Sequence, residues 1–302
     1  VDHRTVEYLK RIGAERPTAP TPEALRDLHA RHQLAVPFEN LSIHLGEPIV
    51  LDEDSLFDKI VLRRRGGFCY ELNGAFGRLL TALGFAVSYL AAGVFGEGGA
   101  VSPLFDHMVL GVEAGGPWLA DVGFGDHSLY PLRLDDAGPQ PDPQGTFQVS
   151  RTPDGDLDIL RDGKPQYRAE TRPRRLVDFE PACWWQQTSV DSHFRRNLVC
   201  TMPADGSPGR DPNRDPSHNS ARRLGRVTLS GRRLIRTLAG ERQETDLGSD
   251  GEVLAAYRDL FGIRLDRVPQ LAGLAGEPST VPTGDRELQP TAASTKPNRQ
   301  AK

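Results

Sequence analysis

Three residues in this chain have the types and spacing for nucleophilic catalysis: a cysteine that opens a helix, a histidine that opens a strand and an aspartate near the end of the next strand. Cys69 follows Arg65-Gly66-Gly67-Phe68 and precedes Tyr70-Glu71-Leu72-Asn73. The glycines permit a sharp backbone turn. Leu72, Phe76, Leu79 or Leu80, and Leu83 then keep one helical face apolar up to Gly84. Unpaired N–H groups and the dipole at a helix start favour an anion, so a thiol there is expected to ionise more readily than a free cysteine. The same residue also reads as a small buried apolar side chain, and this stretch alone leaves both readings open.

A cysteine nucleophile needs a base, and the base needs a group that fixes its tautomer and stabilises its charged form. His107 begins one strand of a hairpin and Asp121 nearly ends the other. Opposed residues in an antiparallel pair have a constant index sum, so an even sum puts both on one face. A sum of 228 would place them directly opposite, with Cβ atoms roughly 5 Å apart; an odd sum would separate them. His3, His29, His32, His44, His127, His193 and His218 read mostly as surface residues, and Cys183 and Cys200 as core.

The elements that must position these residues follow from the apolar pattern. Residues 2 to about 12 predict a short helix, and Thr21-Pro22-Glu23 opens a second, with Thr21 as cap and Leu25 and Leu28 facing inward. Val36-Pro37-Phe38-Glu39-Asn40-Leu41 breaks it, with Asn40 expected to bond its own backbone in a turn. Ser55 or Asp54 is expected to cap a helix through Leu56, Phe57 and Ile60. From Phe85 the period becomes that of strands: 87–95, 107–112, 118–122, 146–151, 157–161 and 166–170, with Asp154-Gly155 and Asp162-Gly163 as tight turns. Residues from 178 read as irregular, with Trp184-Trp185 and Phe194 packed. Residues 203–220 read as a mobile polar loop. Strands at 224–230, 233–238 and 242–247 and a helix over 250–261 complete the pattern.

Composition narrows the function classes. A chain of 302 residues can form one large domain or two to three modest ones. The longest mostly apolar run, 86–95, is far short of the roughly 18 residues a membrane helix needs, and a cytoplasmic protein is expected. Three widely spaced cysteines make neither a disulfide framework nor a metal pattern. A net charge of -4 offers no general attraction to nucleic acid or an anionic membrane. Arginine runs at 168–175 and 222–236 read as solvated faces.

The 65–73 stretch resembles the Arg-Gly-Gly-aromatic-Cys motif of the arylamine N-acetyltransferases, bacterial type. Val36-Pro37-Phe38-Glu39-Asn40-Leu41, the Asp106-His107 strand start, Asp121-Val122-Gly123-Phe124-Gly125 and the 192–199 block resemble further family blocks, in family order, over about residues 2 to 265. The resemblance implies an α+β fold: a helical domain (1–85) with the nucleophile, an antiparallel β-barrel (86–200) with His and Asp, an α/β lid (201–275) and a disordered tail (276–302). The first two would be related to a papain-like cysteine-enzyme core. It implies Cys69, His107 and Asp121 as the catalytic triad, acetyl-CoA as co-substrate without a metal, and small aromatic amines or hydrazines as acceptors. Phe38, Val94 and Phe124 would line the amine pocket, with Asp106, Gly125 and Ser128 on the coenzyme A side. Rival readings are a macrolactam-forming amide synthase of the same family, a transglutaminase-like acyltransferase or hydrolase, and a non-enzymatic binding protein. Papain-type proteases fit poorly, since their histidine follows the cysteine by roughly 130 to 150 residues, against 107 minus 69, or 38, here.

Overall fold

A computed structural model describes residues 2–204, 224–238 and 240–272. Helix α1 (His3–Ile12) starts on the Asp2 carboxylate and stops at Gly13, φ +65°. Helix α2 (Pro22–Ala35) is capped as its sequence predicts, the Ala24 N–H donating to Thr21 Oγ1 at 3.2 Å with Pro22 in the first turn. The chain continues as a short strand β1 (Phe38–Glu39), then α3 (Leu41–Leu45) and α4 (Glu53–Phe57). Asp52 caps α4, not Ser55 or Asp54: its carboxylate takes the Ser55 N–H at 2.8 Å. One π-helical turn over Asp58–Leu62 extends α4 and buries Lys59 and Ile60. Helix α5 (Cys69–Ala82) carries Leu72, Phe76, Leu79 and Leu80 into the core, as predicted. Each such side chain contributes on the order of 2 kcal/mol by burial.

Strands β2 (Ala86–Val94), β3 (His107–Glu113), β4 (Pro117–Ala120), β5 (Leu132–Arg133), β6 (Gln140–Asp142), β7 (Gly145–Arg151), β8 (Leu157–Arg161) and β9 (Lys164–Ala169) form one antiparallel sheet in the order β5-β4-β3-β2-β9-β8-β7-β6. The sheet curls until β5 lies near β7, giving a nearly closed barrel filled by Leu90, Val109, Phe147, Ile159 and Tyr167. Strands β5 and β6 escape sequence reading because two or three residues are too few to show alternation. The β8–β9 turn is as expected: Asp162 and Gly163 both take positive φ, +49° and +75°.

The 178–198 region is helical rather than irregular, forming α6 (Glu180–Thr188) and α7 (His193–Arg196). Phe194 packs against Phe38 and Phe68. Trp184 and Trp185, however, are 66% and 43% exposed. Cys183 and Gln186 form the buried side of α6 at helical spacing, and the two residues between them turn outward.

Strand β10 (Val199–Ala204), unexpected from sequence, joins β11 (Gly225–Ser230), β12 (Arg233–Leu238) and β13 (Glu241–Asp246), which fall where the pattern puts them. Helix α8 (Asp250–Phe261) packs Val253, Tyr257 and Phe261 on this second sheet. Its other edge is β1: Phe38 pairs with Thr201 and Glu39 with Cys200. The lid sheet thus begins inside the helical region. Of the segment expected to be a mobile loop, 203–220, the first two residues end β10 instead, and 205–220, like the expected tail 276–302, lie outside the described residues. No helix among the described residues is long and apolar enough to cross a membrane.

Candidate active site

Cys69 opens α5 because the preceding turn is threaded against β1. Neither Gly66 nor Gly67 has a positive φ; Arg64, at φ +54°, carries the left-handed step. The glycines serve close approach instead. A Cβ on Gly66 would overlap the Pro37 carbonyl, and one on Gly67 would sit 2.7 Å from the Glu71 carboxylate. The Glu39 N–H donates to the Gly67 carbonyl at 2.9 Å, so β1 and the turn are stitched together.

Two buried ion pairs flank that turn. Arg65 donates to Glu39 Oε1 at 3.0 Å and to Glu47 Oε2 at 3.2 Å, while Glu39 Oε2 accepts the Leu41 N–H at 2.6 Å. On the other side Lys59 Nζ donates to Glu71 Oε1 at 2.6 Å. Glu71 Oε2 accepts the Phe68 N–H at 3.2 Å, the half of a capping box that remains because the Phe68 side chain has no acceptor for the N–H groups of the first turn. Asn40 does not close a local turn. Its amide donates to the Phe194 and Asn197 carbonyls and its oxygen accepts the Val199 N–H, binding α3 to the start of β10.

His107 and Asp121 meet, but not as a directly opposed pair. The β3–β4 register pairs Leu110 with Ala120 and Val112 with Trp118, an index sum of 230 rather than 228. The sum is still even, so both side chains share a face, and His107 Nε2 donates to Asp121 Oδ2 at 2.8 Å. Asp121 Oδ1 accepts the Asn73 amide and the Gly123 N–H, each at 2.9 Å. Asn73 Oδ1 in turn accepts the Val122 N–H at 3.0 Å. Burial pushes the Asp121 carboxyl up, yet the charge and hydrogen bond of His107, with His127 and Asn73, hold it well below the usual carboxylate range.

The Cys69 sulfur accepts a hydrogen bond from the Met108 backbone, next to His107. The α5 start is pressed so closely on the segment after Asp121 that a Cβ on Gly123 would lie 2.7 Å from Cys69 Cα. The expected easy ionisation is not what this environment gives. Burial pushes the thiol well up, and the Asp121 and Asp106 carboxylates add to the rise, against the Met108 hydrogen bond. A thiolate here must be formed together with a proton acceptor, because a lone buried anion is costly.

Around this core, Phe124 is half-buried with its ring 5.1 Å from that of His107. Phe38, also half-buried, lies under Gly125, whose added Cβ would be 3.3 Å from the Phe38 ring. Val94 pairs with Tyr167, which contacts both His107 and Phe124. Asp106 is half-buried, its Oδ1 accepting the Gln186 amide at 2.6 Å. Gly125, φ +91°, offers its carbonyl to Arg226 of β11, an arginine read from sequence as part of a solvated face. Ser128 is buried, its hydroxyl 3.1 Å from His127 Nδ1 and its carbonyl accepting the Gln33 amide at 2.5 Å.

The histidine expectation fails at four positions, since His29, His32, His44 and His127 are all buried. A signal existed: Leu25, Leu28, His29 and His32 fall at i, i+3, i+4 and i+7, so the inward stripe of α2 includes the histidines. Asn73 likewise stands one turn after Cys69, on its face of α5.

A family model described as N-acetyltransferase matches residues 21–208. The chain is 34% identical over 269 residues to an arylamine N-acetyltransferase of Mycolicibacterium smegmatis, covering 85% of this chain and 91% of that one. It is 32% identical over 277 residues to one of Mycobacterium tuberculosis, covering 88% and 92%. The chain belongs to the arylamine N-acetyltransferase family. Solved arylamine N-acetyltransferases share the fold: the Salmonella typhimurium enzyme superposes with a TM-score of 0.75 at 28% identity, covering 87% of this chain and 92% of that one. The Mycobacterium marinum enzyme in complex with CoA gives 0.71 at 33%, covering 86% and 92%. As a member, the chain is an acyltransferase.

Proposed function

We propose that this arylamine N-acetyltransferase moves an acetyl group from acetyl-CoA to an arylamine or arylhydrazine through a thioester on Cys69, with His107 as base and Asp121 as its orienting partner. The 2.8 Å bond from His107 Nε2–H to Asp121 carries the reading, because it leaves Nδ1 as the basic nitrogen, on the strand residue next to the sulfur's own hydrogen-bond partner. The Cys69 proton passes to Nδ1, and sulfur attacks the thioester carbonyl. The bond to the coenzyme sulfur then breaks, and CoA leaves with that proton. Next the amine nitrogen attacks the acetyl-enzyme, its proton goes to Nδ1, and Cys69 departs as the leaving group. Asp121 stabilises the transient imidazolium.

Phe38, Val94 and Phe124 form the wall for a flat acceptor. Asp106 and Gly125 flank the coenzyme side, with Ser128 supporting it from beneath. Helical 1–85, barrel 86–200 and lid 201–275 serve as the working division, with β1 bridging the first and third. The macrolactam synthase alternative keeps the same acyl-enzyme and differs in acceptor, so turnover of small arylamines separates the two. The test is intact mass after adding acetyl-CoA without amine: one acetyl on the Cys69 peptide, discharged by arylamine, with parallel double-reciprocal plots. Intersecting plots and an unacetylated Cys69 during active transfer would overturn the mechanism.

A further inference from the structure

Beyond the three residues of the proposed triad, α2 reaches into the site from behind. His29 is fully buried and forms two hydrogen bonds of defined direction. Its Nε2 accepts the backbone N–H of Asp121 at 3.1 Å, which requires Nδ1 to carry the ring proton; Nδ1–H then donates to the Leu129 carbonyl at 2.8 Å. One turn later on the same helix, Gln33 donates to the Ser128 carbonyl at 2.5 Å. Thus α2 grips the loop after β4 at both ends, at Asp121 and at 128–129.

Asp121 sits just beyond the last ladder pair of β4, so its N–H is taken by His29 rather than by the sheet, while Asn73 holds the following peptide through the Val122 N–H. The side chain is held separately by Asn73 and Gly123. We propose that His29 is a positioning residue for acyl transfer: by accepting the Asp121 N–H it sets the peptide from which the carboxylate reaches His107. The inference rests on the Cys69–His107–Asp121 reading. The charged and titratable groups around His29 are Asp121, Arg26, His32 and His127, and burial pushes its own pKa down to about 4, so it acts as a neutral acceptor at the pH of assay. Its contact with Phe76 of α5, ring centroids 6.0 Å apart, fixes the ring plane from the other side.

Two substitutions divide the two hydrogen bonds. His29→Gln places an acceptor near the position of Nε2 and keeps the bond to Asp121. His29→Asn places its amide near the position of Nδ1, keeps the bond to Leu129 and leaves the Asp121 N–H unpaired. Both are compared with Asp121→Asn in single-turnover acetylation of Cys69 by acetyl-CoA, and in the pH dependence of Cys69 alkylation by iodoacetamide. All are measured on protein shown folded by its thermal melt at the assay temperature. Expected are a loss of about tenfold or more in acetylation for His29→Asn, an alkylation profile displaced toward higher pH, and recovery of most of the rate in His29→Gln. A His29→Asn protein with the wild-type rate and profile, beside an inactive Asp121→Asn, would overturn the role of His29 alone. So would equal losses in both His29 variants that merely track melting temperature. Wild-type acetylation in Asp121→Asn would instead overturn the triad reading on which the inference stands.

Discussion

Hairpins β3–β4 and β12–β13 share the antiparallel ladder but are held by different forces. In β3 five of the seven residues are buried, and its opening His107 donates to Asp121, whose carboxylate takes the Asn73 amide of α5 and whose backbone N–H donates to His29 of α2. In β13 all six residues are exposed. Among the described residues, charges of the second hairpin pair with each other, as in Arg233–Asp246 at 3.2 Å and Arg242–Glu244 at 2.7 Å. In the first hairpin low dielectric makes each hydrogen bond strong and each unpaired group expensive. In the second, water substitutes for any lost partner. Precision is concentrated where the chemistry is proposed, and tolerance in the lid.

Removing the carboxylate from the first hairpin should break the comparison most severely. Asp121→Asn is expected to fold yet lose on the order of 10³–10⁴ in acetyl transfer, by analogy with the serine-protease triad, measured as steady-state turnover of an arylamine. Near wild-type turnover in a folded variant would remove Asp121 from the mechanism.

The same logic applies to the turn that carries Cys69. Arg65→Leu would strand the Glu39 carboxylate, which is wholly buried, and should cost about 3–5 kcal/mol of stability, read from urea unfolding. A loss below about 1 kcal/mol would mean that the pair is solvated in solution.

Acid should weaken the buried side before the lid. Burial pushes His29 and His127 down to about 4. Below the unfolded value of about 6.5, the unfolded chain therefore takes up protons that the folded chain refuses, and stability must fall with pH. The fall should run from about pH 6.5 to about 4, reaching at most on the order of 3 kcal/mol per histidine. Asp121 has the opposite kind of shift: its contribution is full above about pH 4 and is lost only as pH falls further. Urea midpoints across pH 7 to 4 test this, and a flat profile would mean the histidines are hydrated in the folded state.

The smallest effect belongs to β13. Arg242→Ala and Glu244→Ala should each stay within about 0.5 kcal/mol of wild type and leave acetyl transfer unchanged. A loss of turnover would show that the lid sheet has a role its exposure does not suggest.

Much of this was legible in the chain itself. Helix α5 announces its apolar face through Leu72, Phe76 and Leu79, and the cap of α2 is written in Thr21-Pro22. Barrel turns are marked by Asp-Gly pairs, and the Cys69 block with its companions resembles the family to which the chain belongs. These features depend on neighbours a few residues apart, where local propensity and period act directly. Several of the unread features depend on partners distant in sequence. Nothing near Phe38 says that β1 will pair with Thr201 and Cys200. The Asp52 cap of α4 is different: its partner Ser55 is three residues away, and an Asp there is an ordinary N-cap signal that the choice of Ser55 or Asp54 passed over.

What the sequence determined by itself was the set of reactive side chains and the helix start under Cys69, while the parity that keeps His107 and Asp121 on one face came with the register. Tertiary structure decided the register of 230 in place of 228 and the burial of His29 and His127. It also decided that the Cys69 thiol is pushed up rather than down. The physical reason is that side-chain type and local period fix which groups exist and which way a strand or helix turns them. Hydrogen-bond partners and solvent exclusion are set only when α2, α5 and the barrel close around the same few atoms.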